Sequence, residues 1–410
     1  ARAVALGSLR RWRRTHEFAD SIIQGSLASS NLNPRDRAFT QELFYGVLRN
    51  LTLLDFYLGK LRKGQLDHDS RDLLRLGLYQ LFHLQLPEHA AVFETVALAS
   101  LRSRPLINGV LRAAARQRTE LQRCVADAPL HVRESHPDFL VARWIAAFGE
   151  ESTTTLCQWN NQPPPIYARI NTLRRSPDEF FASNRALRSL PQYPFFVECD
   201  SLPIDALSRG YCYIQDPSTA VAVELLEPGR NEAVLDPCAA PGGKTSMIAA
   251  KTENQAQIVA CDHDPERLRL LAENLARLRA TVEIIQRDWL ATGAARKFKG
   301  RKFDKILADV PCSNTGVMRR RADLRWRLTP KDFVRLPEQQ AKIVEVLLPL
   351  LKPGGVLVYS TCSIEHEENE QVIDRLLRTS RGLKLEATRM LLPFRDQLDG
   401  AFAARLRFIP

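Results

Sequence analysis

Two cysteines in this sequence stand where a nucleophile is useful. Cys312 lies in Asp309-Val310-Pro311-Cys312-Ser313 and Cys362 in Ser360-Thr361-Cys362-Ser363. Each follows a short apolar stretch, 305–308 and 356–359, that reads as a strand. Both thiols therefore fall just past a strand's C-terminal end, the edge at which doubly wound sheets bind ligands. A thiol is partly ionised near neutral pH and intrinsically nucleophilic. Added to carbon 6 of a cytosine, it would make carbon 5, otherwise a poor nucleophile, enamine-like and able to attack a methyl-sulfonium. An acid or hydrogen-bond donor at the base's N3 helps that addition, a role Asp309 can fill if protonated. The C5 proton must then leave and the thiol be expelled, and a second cysteine can assist that release.

A third motif is a cofactor candidate. Asp236-Pro237-Cys238-Ala239-Ala240-Pro241-Gly242-Gly243-Lys244-Thr245 follows a predicted strand and opens a helix. Its small residues let backbone approach a ligand closely at a helix N-terminus. It is not a P-loop, although it ends in Gly-Lys-Thr. That motif needs a Gly five positions before its second Gly, and the position holds Cys238. Asp262, one βαβ unit later, ends the next strand, where an acidic residue can bind the ribose hydroxyls of a nucleoside cofactor. Asp264-Pro265 reads as a helix cap, and Arg287-Asp288-Trp289 puts another acid, Asp288, at a third strand's end.

These motifs need a parallel α/β sheet to position them. From about residue 206, apolar strands at 233–235, 257–260, 282–285, 305–308 and 356–359 alternate with helical segments. The domain is therefore set at 206–410. Residues 1–125 read as helices: Leu43, Phe44, Val47, Leu48, Leu51 and Leu54 recur at helical spacing. So do Leu73, Leu74, Leu78, Leu81 and Phe82, and then Ile107, Val110, Leu111 and Ala114. Asn33-Pro34 starts one of these helices. The span 126–205 reads as a small α+β linker domain, with a helix from Asp138 to Phe148 and a strand from Ile166 to Asn171.

Length and composition agree with several domains. At 410 residues, with 45% hydrophobic and 26% charged, the chain is a multidomain soluble globular protein. No apolar run is long enough to span a membrane, and Ala1 to Val4 carry no apolar signal core, so a cytoplasmic location is expected. None of the eight cysteines forms a CxxC pair, and no Cys/His cluster has zinc spacing, so reduced thiols and no metal are expected. A net charge of +11 favours a polyanionic partner. The basic run Arg319-Arg320-Arg321 with Arg325-Trp326-Arg327 is read as an RNA contact, since arginines pair with phosphates and Trp stacks on bases. The alternative is a solvated loop with Trp326 simply packed. For Arg10-Arg11-Trp12-Arg13-Arg14 a solvated helix face stands equally.

Together the Cys-Ala-Ala-Pro-Gly-Gly-Lys, Asp-x-Pro-Cys-Ser and Ser-Thr-Cys-Ser segments resemble the RNA cytosine-5 methyltransferases of the Nol1/Nop2/Sun group. The N-terminal part, from Asp36-Arg37-Ala38 through Tyr45-Gly46-Val47-Leu48-Arg49-Asn50 to Ile107-Asn108-Gly109-Val110, is similar to a NusB-like RNA-binding domain. The resemblance covers nearly the whole chain. It implies a Rossmann-like class I methyltransferase fold, S-adenosyl-L-methionine as cofactor, and a 16S ribosomal RNA substrate met by a monomer. It implies cytosine 967 of that RNA as target. It further implies Cys362 as nucleophile, Cys312 as helper in product release, and Asp309 near both cofactor and base. Cofactor binding would fall to Cys238, Ala239, Ala240, Pro241, Gly242, Gly243 and Lys244, with Asp262, Arg267 and Asp288; Lys244 would also touch the base. Asp399-Gly400-Ala401-Phe402-Ala403-Ala404-Arg405-Leu406 looks like the family's closing strand. Two positions depart from the pattern: Ala401 replaces an aromatic residue, and Asn314-Thr315 precede Gly316 where Gly often follows Ser directly. The rival readings are a tRNA or DNA cytosine-5 methyltransferase, and a non-catalytic RNA-binding assembly factor.

Overall fold

The computed structural model describes residues 1–409 other than 85, 184–186 and 299, and only the backbone at 297. The chain forms two compact units, Ala1–Pro163 with Met318–Leu328, and Pro164–Val317 with Thr329–Pro410.

The first unit is helical among the described residues. Helix Pro34–Arg49 starts where Asn33 accepts a hydrogen bond from the Asp36 amide, with Pro34 in the first turn. The apolar stripes predicted at 43–54, 73–81 and 107–114 are all buried in one core. Phe82 lies at its margin, partly buried. Helices Asp138–Phe148 and Glu150–Asn161 pack on each other around buried Leu140, Trp144 and Leu156. They belong to this unit. The span expected as one linker domain, 126–205, is thus divided: its part up to Pro163, all helical, goes with the first unit, and its strands and the helix Pro177–Ser183 go with the second. The Thr52 amide donates to Ser135 Oγ at 2.9 Å and fastens the start of that helical pair to the bundle.

Segment Met318–Leu328 corrects the reading of the basic run. Arg325 is fully buried, with Nη1 donating to Ser135 O (3.1 Å) and Asn161 Oδ1 (2.8 Å) and Nη2 to Asn160 O (3.0 Å). Arg319 is buried with its guanidinium 3.9 Å from the Trp159 ring centroid. Trp326 packs on the helical core and its Nε1 donates to Leu48 O at 2.7 Å. Arg327 pairs with Asp323 at 2.9 Å and donates to the carbonyls of His16 and Glu17. Four members of the run are therefore structural. A guanidinium's fan of donors fits backbone carbonyls as well as phosphates, and composition does not separate the two uses. Arg320 is half-buried and Arg321 exposed.

The second unit holds two sheets. Strands β1 (Ile166–Ile170), β2 (Arg188–Ser189), β3 (Phe196–Cys199) and β4 (Cys212–Ile214) form an antiparallel sheet in the order β2-β3-β1-β4. The larger sheet comprises β5 (Ala233–Asp236), β6 (Gln257–Asp262), β7 (Glu283–Gln286), β8 (Phe303–Asp309), β9 (Leu351–Thr361), β10 (Leu383–Leu391) and β11 (Ala401–Phe408). Their order is β10-β11-β9-β8-β5-β6-β7. Residues of β8 and β9 alternate between faces, as the pleat requires. Leu307 and Val358 pack towards helices Ala220–Leu226 and Gly243–Lys251. Ile306, Ala308, Leu357 and Tyr359 pack towards Asp332–Leu347 and Glu370–Thr379.

The sheet is mixed where a parallel one is expected. Strands β5 to β9 pair in parallel, but β11 runs antiparallel to both β9 and β10. The short link from Leu391 to Ala401 contains only one turn of helix, Pro393–Asp396, too little for a parallel crossover.

Candidate active site

The two thiols meet because β8 and β9 are paired in register. Asp309 lies opposite Ser360, so the segments that follow leave the sheet side by side. Cys312 Sγ and Cys362 Sγ are 3.4 Å apart, each half-buried. Asn314 stands between the two segments: its Nδ2 donates to Cys312 O at 2.8 Å and Cys362 Sγ donates to its Oδ1 at 3.0 Å. Asn314 adopts φ +57°, the left-handed region that Gly and Asn tolerate best. The departure from Gly at this place therefore leaves the turn possible. Gly316 has no such latitude. A Cβ there would stand 2.7 Å from Cys362 O and from Gly400 Cα. That close approach lets the Gly316 amide donate to Cys362 O (3.0 Å) and the Gly400 amide to Gly316 O (2.8 Å).

Beneath the thiols lies a buried carboxylate. Glu368 accepts from the Ser313 amide (2.9 Å) and Gln340 Nε2 (2.8 Å) on one oxygen and from Ser363 Oγ (2.8 Å) on the other. Ser313 and Ser363 each directly follow a cysteine, so one side chain fastens both segments. Thr361 Oγ1 donates to Asn369 Oδ1 at 2.6 Å, and Asn369 Nδ2 donates to Ser363 O at 2.9 Å.

Charge is arranged around this pair. Lys244 Nζ donates to Asp309 Oδ2 at 2.7 Å, and Ser360 Oγ to Asp309 Oδ1 at 2.9 Å. Burial works against the Lys244 ammonium, but the charge and hydrogen bond of Asp309 outweigh it and push its pKa up. The Cys312 thiol is pushed well above its usual range by its hydrogen bond to Cys362, then by burial. A thiol raised in this way stays protonated near neutral pH.

The Asp236–Thr245 loop lies at the ends of β5 and β6. Gly242 has φ +104°, and a Cβ would meet Leu271 at 2.9 Å, so the loop lies flush against helix Pro265–Leu278. Arg267 Nη2 donates to Ala240 O (2.7 Å) and lies 3.4 Å from Asp262 Oδ2, linking the loop to the end of β6. The Ala239 amide donates to Cys261 O, and Trp289 Nε1 to Pro237 O, both at 2.8 Å. Asp236 accepts from Thr245 Oγ1 at 2.6 Å, while its buried Oδ1 has no partner. Burial foremost lifts its carboxyl to about 7. Cys238 is likewise pushed well up by burial, as befits a wall residue.

A nucleoside cofactor fits these groups. The small-residue loop, the unpartnered Asp236 oxygen and the acids Asp262 and Asp288 share one edge of the sheet. Asp288, past β7, is exposed and accepts from the Leu290 amide at 2.9 Å. Among the described residues no His, Cys, Asp or Glu cluster could hold a metal ion, and no helix is long and apolar enough to cross a membrane.

The structure brings together Cys312, Cys362, Asp309 and Lys244, and separately Arg267 with Asp262 and the 238–244 loop. Sequence reasoning singled out neither Glu368 nor the contacts of Asn314 and Ser360. Only Asn314 gave a signal, as an odd residue after Pro-Cys-Ser. His263 and His366 are exposed, the latter 2.9 Å from Glu370.

The chain matches three family models. They describe a 16S rRNA methyltransferase RsmB/F (223–410), the NusB family (1–116) and a Methyltr_RsmF/B-like, ferredoxin-like domain (136–184). It is similar to ribosomal RNA small subunit methyltransferase B of Photorhabdus laumondii, 35% identical over 92% of this chain and 91% of that one. The same-named protein of Klebsiella pneumoniae is 36% identical over 94% and 95%. Among solved structures, PH0851 has TM-score 0.80 at 23% identity, covering 99% of this chain and 98% of that one. NSun6 from Pyrococcus horikoshii with SFG has TM-score 0.61 at 25% identity, covering 68% and 99%.

Proposed function

We propose that this chain, which belongs to the 16S rRNA methyltransferase RsmB/F family, methylates carbon 5 of an unpaired cytosine through a covalent bond from Cys362 to carbon 6. The target is 16S ribosomal RNA, at cytosine 967. The observation that carries the reading is the pair of thiols 3.4 Å apart beside the Lys244–Asp309 ion pair.

Cys362 gives up its proton to water and attacks, while Cys312 holds its own. As its sulfur adds to carbon 6, negative charge builds towards N3 of the base. Asp309 meets that atom, with Lys244 beside it as the source of the proton. The base must be flipped out or unpaired for carbon 6 to be reached. S-adenosyl-L-methionine, held along Cys238–Lys244 with Asp262, Arg267 and Asp288 on its ribose side, would supply the electrophilic methyl group. The C5 proton then leaves to water, its electron pair re-forms the double bond between carbons 5 and 6 as the C6–S bond breaks, and the N3 proton returns to Lys244. Cys312, still protonated and 3.4 Å away, donates a hydrogen bond to the departing Cys362 sulfur. Of the basic run, exposed Arg321 is retained as an RNA contact.

The test is methyl transfer from labelled S-adenosyl-L-methionine to unmodified 16S rRNA and to tRNA, with bisulfite sequencing, for the wild type, Cys362→Ala and Cys312→Ala. One new 5-methylcytosine in 16S rRNA is expected, no covalent adduct with Cys362→Ala, and an accumulating protein–RNA adduct with Cys312→Ala. Methylation of tRNA alone discards the ribosomal target. An adduct lost only with Cys312→Ala reverses the roles of the thiols, and no transfer at all leaves an RNA-binding assembly factor.

A further inference from the structure

Asn314 touches both cysteine segments through one side chain, and its amide has a defined orientation. Nδ2 donates to Cys312 O at 2.8 Å, so Oδ1 is the atom left facing Cys362, whose Sγ donates to it at 3.0 Å. A carbonyl oxygen accepts and cannot donate, so this contact requires the proton on Cys362. An acceptor aimed at a thiol favours the protonated form, and its lone pairs repel a thiolate. The same side chain can serve a thiolate only after its amide turns, so that Nδ2 donates to the sulfur. That turn gives up the bond to Cys312 O. The backbone allows this arrangement because Asn tolerates the φ of +57° found here.

The geometry points to Asn314 as a positioning residue that holds the Cys362 thiol protonated at rest and releases it when its amide turns away from Cys312 O. This rests on the reading of Cys362 as nucleophile. The residue acts through Cys362. A coupling follows between the two cysteine segments, because the bond that aims the amide is anchored on the Cys312 backbone. A base entering between the segments can favour the turned amide by displacing it from Cys312 O.

The test uses the full chain with neither RNA nor cofactor. Cys362 is alkylated with iodoacetamide at neutral pH and the adduct is located by peptide mass spectrometry. Asn314→Gly keeps the left-handed turn and removes the acceptor. Alkylation of Cys362 should rise about three- to tenfold, the factor a neutral hydrogen bond supplies. Asn314→Asp keeps an acceptor, adds negative charge beside the sulfur and removes the donor, and alkylation should fall about tenfold or more. Opposite signs are the result expected, since a segment merely loosened would speed both variants. Equal rates in all three proteins, or shifts of the same sign, overturn the proposal. The readout needs no turnover. Opposite signs in a chain that methylates no RNA would keep this inference and discard the enzymatic reading, and equal rates in an active enzyme would do the reverse.

Discussion

Glu368→Ala is the perturbation that most directly tests how the two thiols are held. The carboxylate takes three donors, but they would not suffer equally. Gln340 Nε2 keeps Pro311 O at 3.0 Å, and Ser363 Oγ can turn to Ser313 Oγ at 3.1 Å or Thr315 Oγ1 at 3.3 Å. The Ser313 amide has no substitute and becomes an orphaned buried donor, at about 1–3 kcal/mol. Two weakened charge-assisted bonds add roughly 1 kcal/mol each, so the segment loses about 3–5 kcal/mol. The chain has two units and need not unfold in one step, so the assay is local. Hydrogen exchange of the Ser313 amide should accelerate at least about a hundredfold, at roughly 1.4 kcal/mol per tenfold. Glu368→Gln keeps an acceptor for the Ser313 amide and turns its own amide towards Ser363 Oγ, so its exchange should rise by only about tenfold. An Ala variant whose Ser313 amide exchanges like the wild type would show that the segments after Cys312 and Cys362 are held by something other than this carboxylate.

The Asp236 carboxyl, lifted to about 7, gives a pH prediction with a definite sign. Between its unfolded value near 4 and about 7 the folded state holds the proton and the unfolded state does not, so stability is full below pH 4 and falls as pH rises, by about 4 kcal/mol in all. Asp236→Asn should lack that fall, as protection of the β5 amides against hydrogen exchange, corrected for intrinsic rate, would show at acidic and neutral pH; parallel losses in both proteins would remove Asp236 as the cause. Arg325→Met leaves Ser135 O, Asn160 O and Asn161 Oδ1 unpaired and should lower the first unit's stability by about 3 kcal/mol or more. Arg321→Glu, on the exposed member of the same run, should move stability by less than about 0.5 kcal/mol while weakening RNA binding in a filter assay. Gly316→Ala drives a Cβ into Cys362 O and Gly400 Cα, neither of which can yield cheaply; a loss of about 1–3 kcal/mol and a fall in kcat larger than any rise in KM are expected.

What could be read from the chain was whatever repeats locally. The stripes at 43–54, 73–81 and 107–114 announce helices because each buries one face, and strands 305–308 and 356–359 announce themselves because both faces are covered. Strand β10 breaks that rule. Leu383–Leu391 is an edge strand with no fully buried residue; Leu-Lys-Leu-Glu-Ala-Thr does alternate apolar and polar residues, but no continuous apolar run marks it, and without it the closing strand β11 gave no sign of running antiparallel. The thiols, Asp309 and the 236–245 loop were legible because strand ends carry their chemistry in the adjoining few residues. Glu368 was not, because its partners Ser313, Gln340 and Ser363 come from three different stretches and meet only after folding. The arginines of 319–327 fail for the opposite reason. Their local composition is that of an RNA contact, yet Arg325 satisfies carbonyls of residues 135 and 160, and Trp326 one of residue 48, in a helical bundle whose sequence lies far upstream. Charge in a sequence therefore locates donors without saying what accepts from them. For this chain, that makes the buried acceptor lining each guanidinium, more than the number of arginines, the quantity that decides where RNA can be bound.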